Sequence, residues 1–381
     1  MKISYISTFF PLRGGIAHFN TLLYKELSAR GHQLHAITFS RQYPKLFFPG
    51  KTQEETGGGE EIFKTHAEIL LDSINPFSWI RVGWRVRKQA PDIILFKYWI
   101  TFFAPAYFTI SFVAKLFRKT KVIFILDNFF PHEKRFGDAF LHELAIRTAD
   151  GYLAMSEKVE RDIQTHLPRA LYIKAPHPVY NIFGDAIAKS EARALLGLNP
   201  NEKVILFFGY IRKYKGLDLL LDALPQLLKK YPDLKLLIAG EFYGDEAEYR
   251  KKIDDMGLWK HLLLQSDYIP NHEVARYFCA ADCIVLPYRS ATQSGIAQIA
   301  YHFERPAIAT NVGGLKEVVL DGKTGYLASS SEPKEIAAAI IRFYEAFGKV
   351  DFEKHMREEK KKYSWENFAN AIEQLAEKLQ A

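Results

Sequence analysis

Arg212 and Lys215, two of the three cations between Gly209 and Gly216, stand in the stretch FFGYIRKYKGLDLLLDAL. The apolar run ending at Gly209 has the pattern of a strand, and GLDLLLDAL that of a helix, so both cations fall beside a helix N-terminus. Backbone N–H groups and the helix dipole already favour anions there. Added Arg and Lys side chains make a clamp for a diphosphate; the plainer reading is a solvated basic turn. Two further junctions in the same half pass from an apolar run through a glycine-bearing loop. In PYRSATQSGIAQIAYHFERP the polar residues Thr292, Gln293 and Ser294 precede Gly295, and Gln298 follows one turn into the helix. In ATNVGGLKEVVLDGKTGYL, Gly313 and Gly314 follow a strand pattern, with a turn at Asp321-Gly322. Three glycine-bearing strand ends in one half suggest a single ligand crevice at the carboxyl edge of a parallel sheet.

The N-terminal half carries its own candidates. Gly14 and Gly15, in PLRGGIAHFNTLLYKELSARG, follow the opening strand pattern and lead into a helix. That junction is either an anion site or a tight turn, and it lacks the GxGxxG spacing of a dinucleotide fingerprint. His18 lies one turn into this helix, either inward-facing or on its surface. Lys97, followed by Tyr98 and Trp99, closes another strand pattern. LDNFFPHEKRFGD places Asp127, Asn128, His132 and Glu133 just past a strand, where they either handle a hydroxyl substrate or act as turn and cap residues.

Elements that alternate strand and helix must hold these loops. Runs such as KISYIST, QLHAITFS, DIILFKYW and KVIFILD are separated by helical patterns, and the series starts afresh at KVILFFGYI. Such alternation predicts parallel βαβ units. With 381 residues, the chain exceeds what one core usually fills. A proline-punctuated polar stretch around Pro176, Pro178 and Pro200 sets the boundary at 180–200. Two α/β domains are expected, over 1–185 and 186–360. Residues 361–381 form a terminal helix, capped by Ser364, that packs on one of them.

Composition narrows the function classes. A hydrophobic share of 48% and a charged share of 25% fit a folded globular protein. Cys279 and Cys283, the two cysteines, make neither a disulfide framework nor a metal quartet and indicate a reducing compartment. The start of the chain lacks a signal-peptide pattern, so a cytoplasmic location is expected. Net charge of +7 leaves nucleic acid, anionic lipid and phosphorylated substrates open, but no nucleic-acid module is recognisable. The segment TFFAPAYFTISFVAKLF (101–117) is interrupted by Pro105 and too short to span a bilayer. It is either a buried helix or an interfacial one, beside the basic stretch RVGWRVRK (81–88), whose Trp84 and four cations would meet an anionic membrane face. TQEETGGGEE (52–61) is expected to be a loop.

As a set in this order, these segments resemble GT-B glycosyltransferases of family 4, in the glycosyltransferase group 1 style. The motifs that carry the resemblance are RGGIAHFNTLLYKELSARGHQL, SEKVERDI, PHPVY, FFGYIRKYKGLDLLLDAL, LLIAGE, the DYIP to ADCIVLPY stretch and RPAIATNVGGLKEVVLDGKTGYL. The resemblance implies two Rossmann-like domains facing across a cleft, with the acceptor on the first, the donor on the second and the last helix returning to the first. It implies a retaining glycosyltransferase that moves a sugar from a nucleotide-diphosphate sugar to a hydroxyl acceptor, in surface polysaccharide or glycolipid synthesis. Arg212 and Lys215 then hold the leaving diphosphate, and Tyr268, Ile269 and Pro270 fall where the family contacts the nucleotide base.

This sequence departs from the family at two positions. Where relatives carry two glutamates with seven residues between them, Thr292 and Ala300 stand here if Gly295 is the anchor, or Ala291 and Ile299 if the alignment slips by one. Asp127 takes the place of a histidine in relatives. A sugar-nucleotide-binding partner without turnover is therefore the alternative. No Asp-x-Asp pair occurs, so neither a metal nor another cofactor is expected beyond the sugar nucleotide.

Overall fold

The computed structural model describes residues 1–44, 52–54, 65–130, 137–244 and 246–381. Most of the expected loop at 52–61, together with His132 and Glu133, lies outside the described residues. The chain divides into two compact units, Met1–Pro178 with Tyr363–Ala381, and Val179–Lys362.

The first unit begins with β1 (Lys2–Ile6), α1 (Gly15–Ala29), β2 (Gln33–Arg41) and β3 (Ala67–Asp72). It continues through α2 (Pro76–Gln89), β4 (Ile93–Tyr98), α3 (Ala104–Lys115) and β5 (Lys121–Leu126). Then come α4 (Asp138–Ile146), β6 (Gly151–Ala154), α5 (Glu157–His166) and β7 (Leu171–Lys174). Among the described residues the strands form a seven-stranded sheet in the order β3-β2-β1-β4-β5-β6-β7, and every pairing is parallel. The continuous apolar run of β4 is fully buried, as expected for a strand covered on both faces. Segment 101–117 is mainly core: a short 3-10 turn leads into α3, whose Ala106, Tyr107, Ile110 and Ala114 are buried.

The second unit opens with α6 (Lys189–Leu195), β8 (Val204–Phe208), α7 (Leu217–Lys230) and β9 (Lys235–Ala239). Next are α8 (Glu246–Asp255), β10 (Leu262–Gln265), α9 (Val274–Ala280), β11 (Cys283–Leu286) and α10 (Gly295–His302). It closes with β12 (Ala307–Thr310), α11 (Leu315–Val318), β13 (Gly325–Ala328), α12 (Pro333–Ala346) and α13 (Phe352–Lys360). Its strands form a parallel sheet in the order β10-β9-β8-β11-β12-β13.

The final helix, α14 (Trp365–Gln380), belongs to the first unit. Ser364 caps it, accepting a hydrogen bond from the Asn367 N–H. Its apolar side packs so closely that a Cβ on Gly151 of β6 would lie 2.9 Å from a methyl of Leu379. Its polar side is tied down by Arg30, which donates to Glu373 and Asn370.

Both sheets reverse strand order once, between β1 and β4 and between β8 and β11. Loops leaving the carboxyl ends of such strand pairs are where open parallel sheets bind ligands.

Candidate active site

In the second unit the chain leaves β8 at Gly209, passes a 3-10 turn at Lys213–Lys215, and reaches α7 through Gly216 in the left-handed region. Gly216 has φ of 71°, and a Cβ there would sit 2.0 Å from the Pro287 carbonyl oxygen. Only glycine lets the loop after β8 lie this close to the end of β11. Arg289 fastens the same two loops: its guanidinium forks onto the Asp218 carboxylate and also donates to the Lys213 carbonyl. The Arg289 N–H donates to the Tyr214 carbonyl at 2.7 Å.

This bracing folds Lys215 back over the sheet end. Its Nζ lies 3.3 Å from where a Cβ on Gly209 would be, beside Ile296 in the first turn of α10. Lys215 is 8% exposed, and its Nζ is 5.9 Å from the centre of the Tyr288 ring. Burial, and secondarily the charge of Arg212, push its pKa down from 10.5 to about 7. Arg212 lies over the Tyr243 ring at 4.8 Å, and Tyr243 in turn packs on Tyr210 with centroids 4.4 Å apart. Among the described residues neither cation has a carboxylate partner. Two unpaired cations held together, one of them desolvated, are strained until an anion arrives.

The loop after β11 supplies the other wall. Ser294 caps α10, its hydroxyl accepting from the Ala297 N–H, and lies 3.4 Å from the Tyr288 hydroxyl. Gly295 abuts Tyr180, whose ring would be 3.2 Å from a Cβ placed there. Thr292 and Gln298 are buried, and the Gln298 Oε1 has no hydrogen-bond partner among the described residues. Gln293 is partly buried beside them. Gly313, with φ of 50°, would put a Cβ 1.5 Å from the Ala291 carbonyl oxygen, so the loop after β12 also closes on this wall. The structure thus brings Gly209, Arg212, Lys215, Ser294, Gly295 and Gly313 to neighbouring strand ends. Tyr268, Ile269 and Pro270 follow β10, the outermost strand, and Ile269 is buried. Ala300 and Ile299 are buried, and no acidic residue stands at either register.

In the first unit, Gly14 caps α1 with φ of 107°, and Gly15 is its first residue. Asn20 of α1 donates to the Ser7 hydroxyl and Thr8 carbonyl and accepts from the Tyr5 hydroxyl, locking the loop between β1 and α1. His18 is inward-facing rather than on the helix surface; it is 7% exposed, and burial lowers its pKa to about 4. Lys97, near the end of β4, is inward-facing. It is 1% exposed, with Nζ 2.6 Å from the Asp127 carboxylate and 3.5 Å from the centre of the Phe19 ring. His177 stands edge-on to the same ring, with its pKa lowered to about 3 by burial and then by the Lys97 charge. Asn128 donates to the Trp99 carbonyl. Tyr243, Tyr288 and Arg289 escaped the reading of the sequence because single tyrosines and arginines past strand ends carry no distinctive spacing.

Residues 188–363 match the family model of glycosyl transferases group 1. A D-inositol 3-phosphate glycosyltransferase of Corynebacterium urealyticum is 28% identical over 51% of this chain and 48% of its own length. The chain thus matches about half the length of that curated relative. Among solved structures, sucrose-phosphate synthase of Thermosynechococcus elongatus matches with a TM-score of 0.77 at 19% identity, covering 99% of this chain and 98% of that one. Anabaena HepE in complex with UDP matches at 0.76 and 17% identity, covering 98% and 99%. The fold is GT-B, built from two Rossmann-like parallel sheets.

Proposed function

Because its second unit carries a glycosyl transferases group 1 domain, we propose that this protein is a retaining glycosyltransferase using a nucleotide-diphosphate sugar. The supporting observation is the buried Lys215 ammonium beside Arg212, with no carboxylate partner among the described residues, at the sheet's reversal point. As the bond from the anomeric carbon to the diphosphate oxygen breaks, negative charge grows on the leaving group. Fixed cations bind that state more tightly than the intact donor, which is what accelerates the step. The acceptor hydroxyl attacks from the face the diphosphate leaves, its oxygen bonding to the anomeric carbon while its proton passes to the departing diphosphate oxygen. Position and charge stabilisation then do the work of a protein nucleophile. Asp127, held by Lys97, orients the acceptor hydroxyl in this reading. The two cations take the role that a divalent metal plays elsewhere, so transfer is metal-independent. The acceptor is a glycan or glycolipid hydroxyl.

The test is incubation of the purified protein with UDP-, GDP-, ADP- and TDP-sugars and glycan acceptors, with and without EDTA. Proton NMR of the product is expected to show the donor's anomeric configuration and no loss of rate on chelation. Inverted product, or activity restored only by manganese, overturns the corresponding part. Donor binding with neither transfer nor hydrolysis supports the non-catalytic partner, which the absence of an acid at 291, 292, 299 and 300 favours.

Binding of the released nucleoside diphosphate, which carries the extra charge, should also be linked to protons. Free Lys215, with a pKa near 7, is mostly neutral at pH 8, and a bound diphosphate raises that pKa. Binding therefore takes up close to one proton at pH 8, and affinity falls as pH rises above 7. Calorimetry with UDP in buffers of different ionisation enthalpy measures the uptake. Lys215→Met should abolish it, and unchanged uptake in that variant contradicts the assignment.

A further inference from the structure

The outward face of α2 is built of residues that water alone does not favour. Phe77, Ile80 and Trp84 are 82%, 43% and 47% exposed. They recur at helical spacing opposite Val82, Gly83 and Val86, which face the core. Helix α3 lies against α2, with Gly83 so close to Val113 that a Cβ there would be 2.7 Å from the valine Cβ. Phe112 of α3 and Phe117 in the turn after it are exposed as well, at 62% and 89%. Six of the thirteen large, exposed apolar side chains among the described residues lie between Ile74 and Phe117. Scattered exposed apolar residues are ordinary, but a concentration of this kind marks a contact surface.

Charge identifies what the surface meets. Between residues 76 and 126 there are nine Lys and Arg and one acid, Asp92. Of the cations, Arg85 is paired with Glu68, Lys115 with Asp150, and Lys97 is buried with Asp127. Arg87 lies over the Trp84 ring at 5.3 Å. Arg81, Lys88, Arg118 and Lys119 are exposed and form no ion pair among the described residues. A second copy of the same face would bring these cations against one another, so self-association is disfavoured. A partner that accepts aromatic side chains and supplies negative charge fits both features.

We propose that α2, with Phe112 and Phe117, seats the first unit on a bilayer surface carrying anionic lipid. Phe77, Ile80 and Trp84 enter the headgroup region, and Arg81, Lys88, Arg118 and Lys119 meet lipid phosphates. No helix among the described residues is long and apolar enough to cross a membrane, so the attachment is peripheral. The sequence offered segment 101–117, with Trp84 and the cations of 81–88, at such a surface as one of two readings; the structure leaves only Phe112 and Phe117 of that segment exposed and adds Phe77 and Ile80 of α2 to Trp84. This attachment does not depend on the proposed sugar transfer.

Flotation of the full chain with vesicles tests it, using phosphatidylcholine alone or mixed with phosphatidylglycerol. Binding is expected to need phosphatidylglycerol and to weaken with salt. Arg81→Gln with Lys88→Gln should weaken it about fivefold per cation removed. Phe77→Ser with Trp84→Ser should weaken it at least roughly tenfold, since insertion of both rings is lost. Trp84→Phe should keep binding but lose the blue shift of tryptophan emission. All these residues are exposed, so unchanged melting temperatures serve as the folding control. No binding to phosphatidylglycerol vesicles at low salt, or equal binding by the Phe77/Trp84 variant, overturns the proposal. So does a dimer, seen by light scattering, that this variant dissolves without any vesicle binding by the parent.

Discussion

Lys215→Ala and Arg212→Ala are each expected to lower kcat by about 10²- to 10³-fold while changing the donor KM far less, as when one preorganised charge-stabilising donor is removed. The asymmetry follows from when the charge appears. An intact sugar nucleotide already carries phosphate charge, which the helix N-terminus and the remaining cation still bind, whereas the extra charge of the departing diphosphate meets the missing group only in the transition state. Lys215 is 8% exposed and lies beside the Gly209 strand end, so water does not readily replace it. The double variant should lose less than the product of the single losses, because the two cations act on one leaving group. Steady-state kinetics with the best donor decides the matter. A Lys215→Ala enzyme with unchanged kcat removes the diphosphate clamp from the mechanism.

Asp282→Ala is expected to destabilise the second unit by about 3–5 kcal/mol, the usual result of stripping the partner from a buried charge. Asp282, just before β11, is 5% exposed. One carboxylate oxygen accepts from Lys189 and from Arg193; the other accepts from the Val204 N–H at 2.7 Å and the Tyr344 hydroxyl at 3.1 Å. Arg193 is 3% exposed and its remaining donors reach the carbonyls of Ala280 and Pro200. Without the carboxylate, Arg193 keeps its charge in the interior, and the first amide of β8 loses its acceptor. For a unit of this size the loss corresponds to a fall of roughly 6–20 °C in its calorimetric transition. Asp282→Asn should fall between parent and Ala, since an amide retains an acceptor but not the charge. A melting temperature within a degree or two of the parent would show that Arg193 finds solvent or another partner.

The two predictions differ in how visible their residues are in the sequence. Gly209, Arg212, Lys215 and Gly216 are neighbours along the chain, at a point where strand periodicity gives way to helix periodicity. Turn glycines and loop cations are local signals, and the alternation of strand and helix follows from burial of apolar residues at fixed spacing. Asp282 carries no such mark, because its partners Lys189 and Arg193, Val204, and Tyr344 come from three separate stretches of chain. Lys97 and Asp127 belong to the same class. Their pairing depends on β4 and β5 lying side by side in a register that matches Tyr98 with Leu126, which leaves Asp127 one step past the partner of Tyr98.

Sequence alone therefore determined the α/β alternation, the two glycine-marked halves and the placing of Arg212 and Lys215 at a helix N-terminus, since each rests on short-range pattern and backbone stereochemistry. Tertiary structure decided which side of α2 meets solvent and that Lys97 is a buried ion-pair partner. It also decided that His18 is inward and neutral, and that Lys215 is desolvated enough to titrate near neutrality. These depend on burial and on contacts between residues far apart in the chain, and an electrostatic free energy is set by what surrounds a charge rather than by its neighbours in sequence.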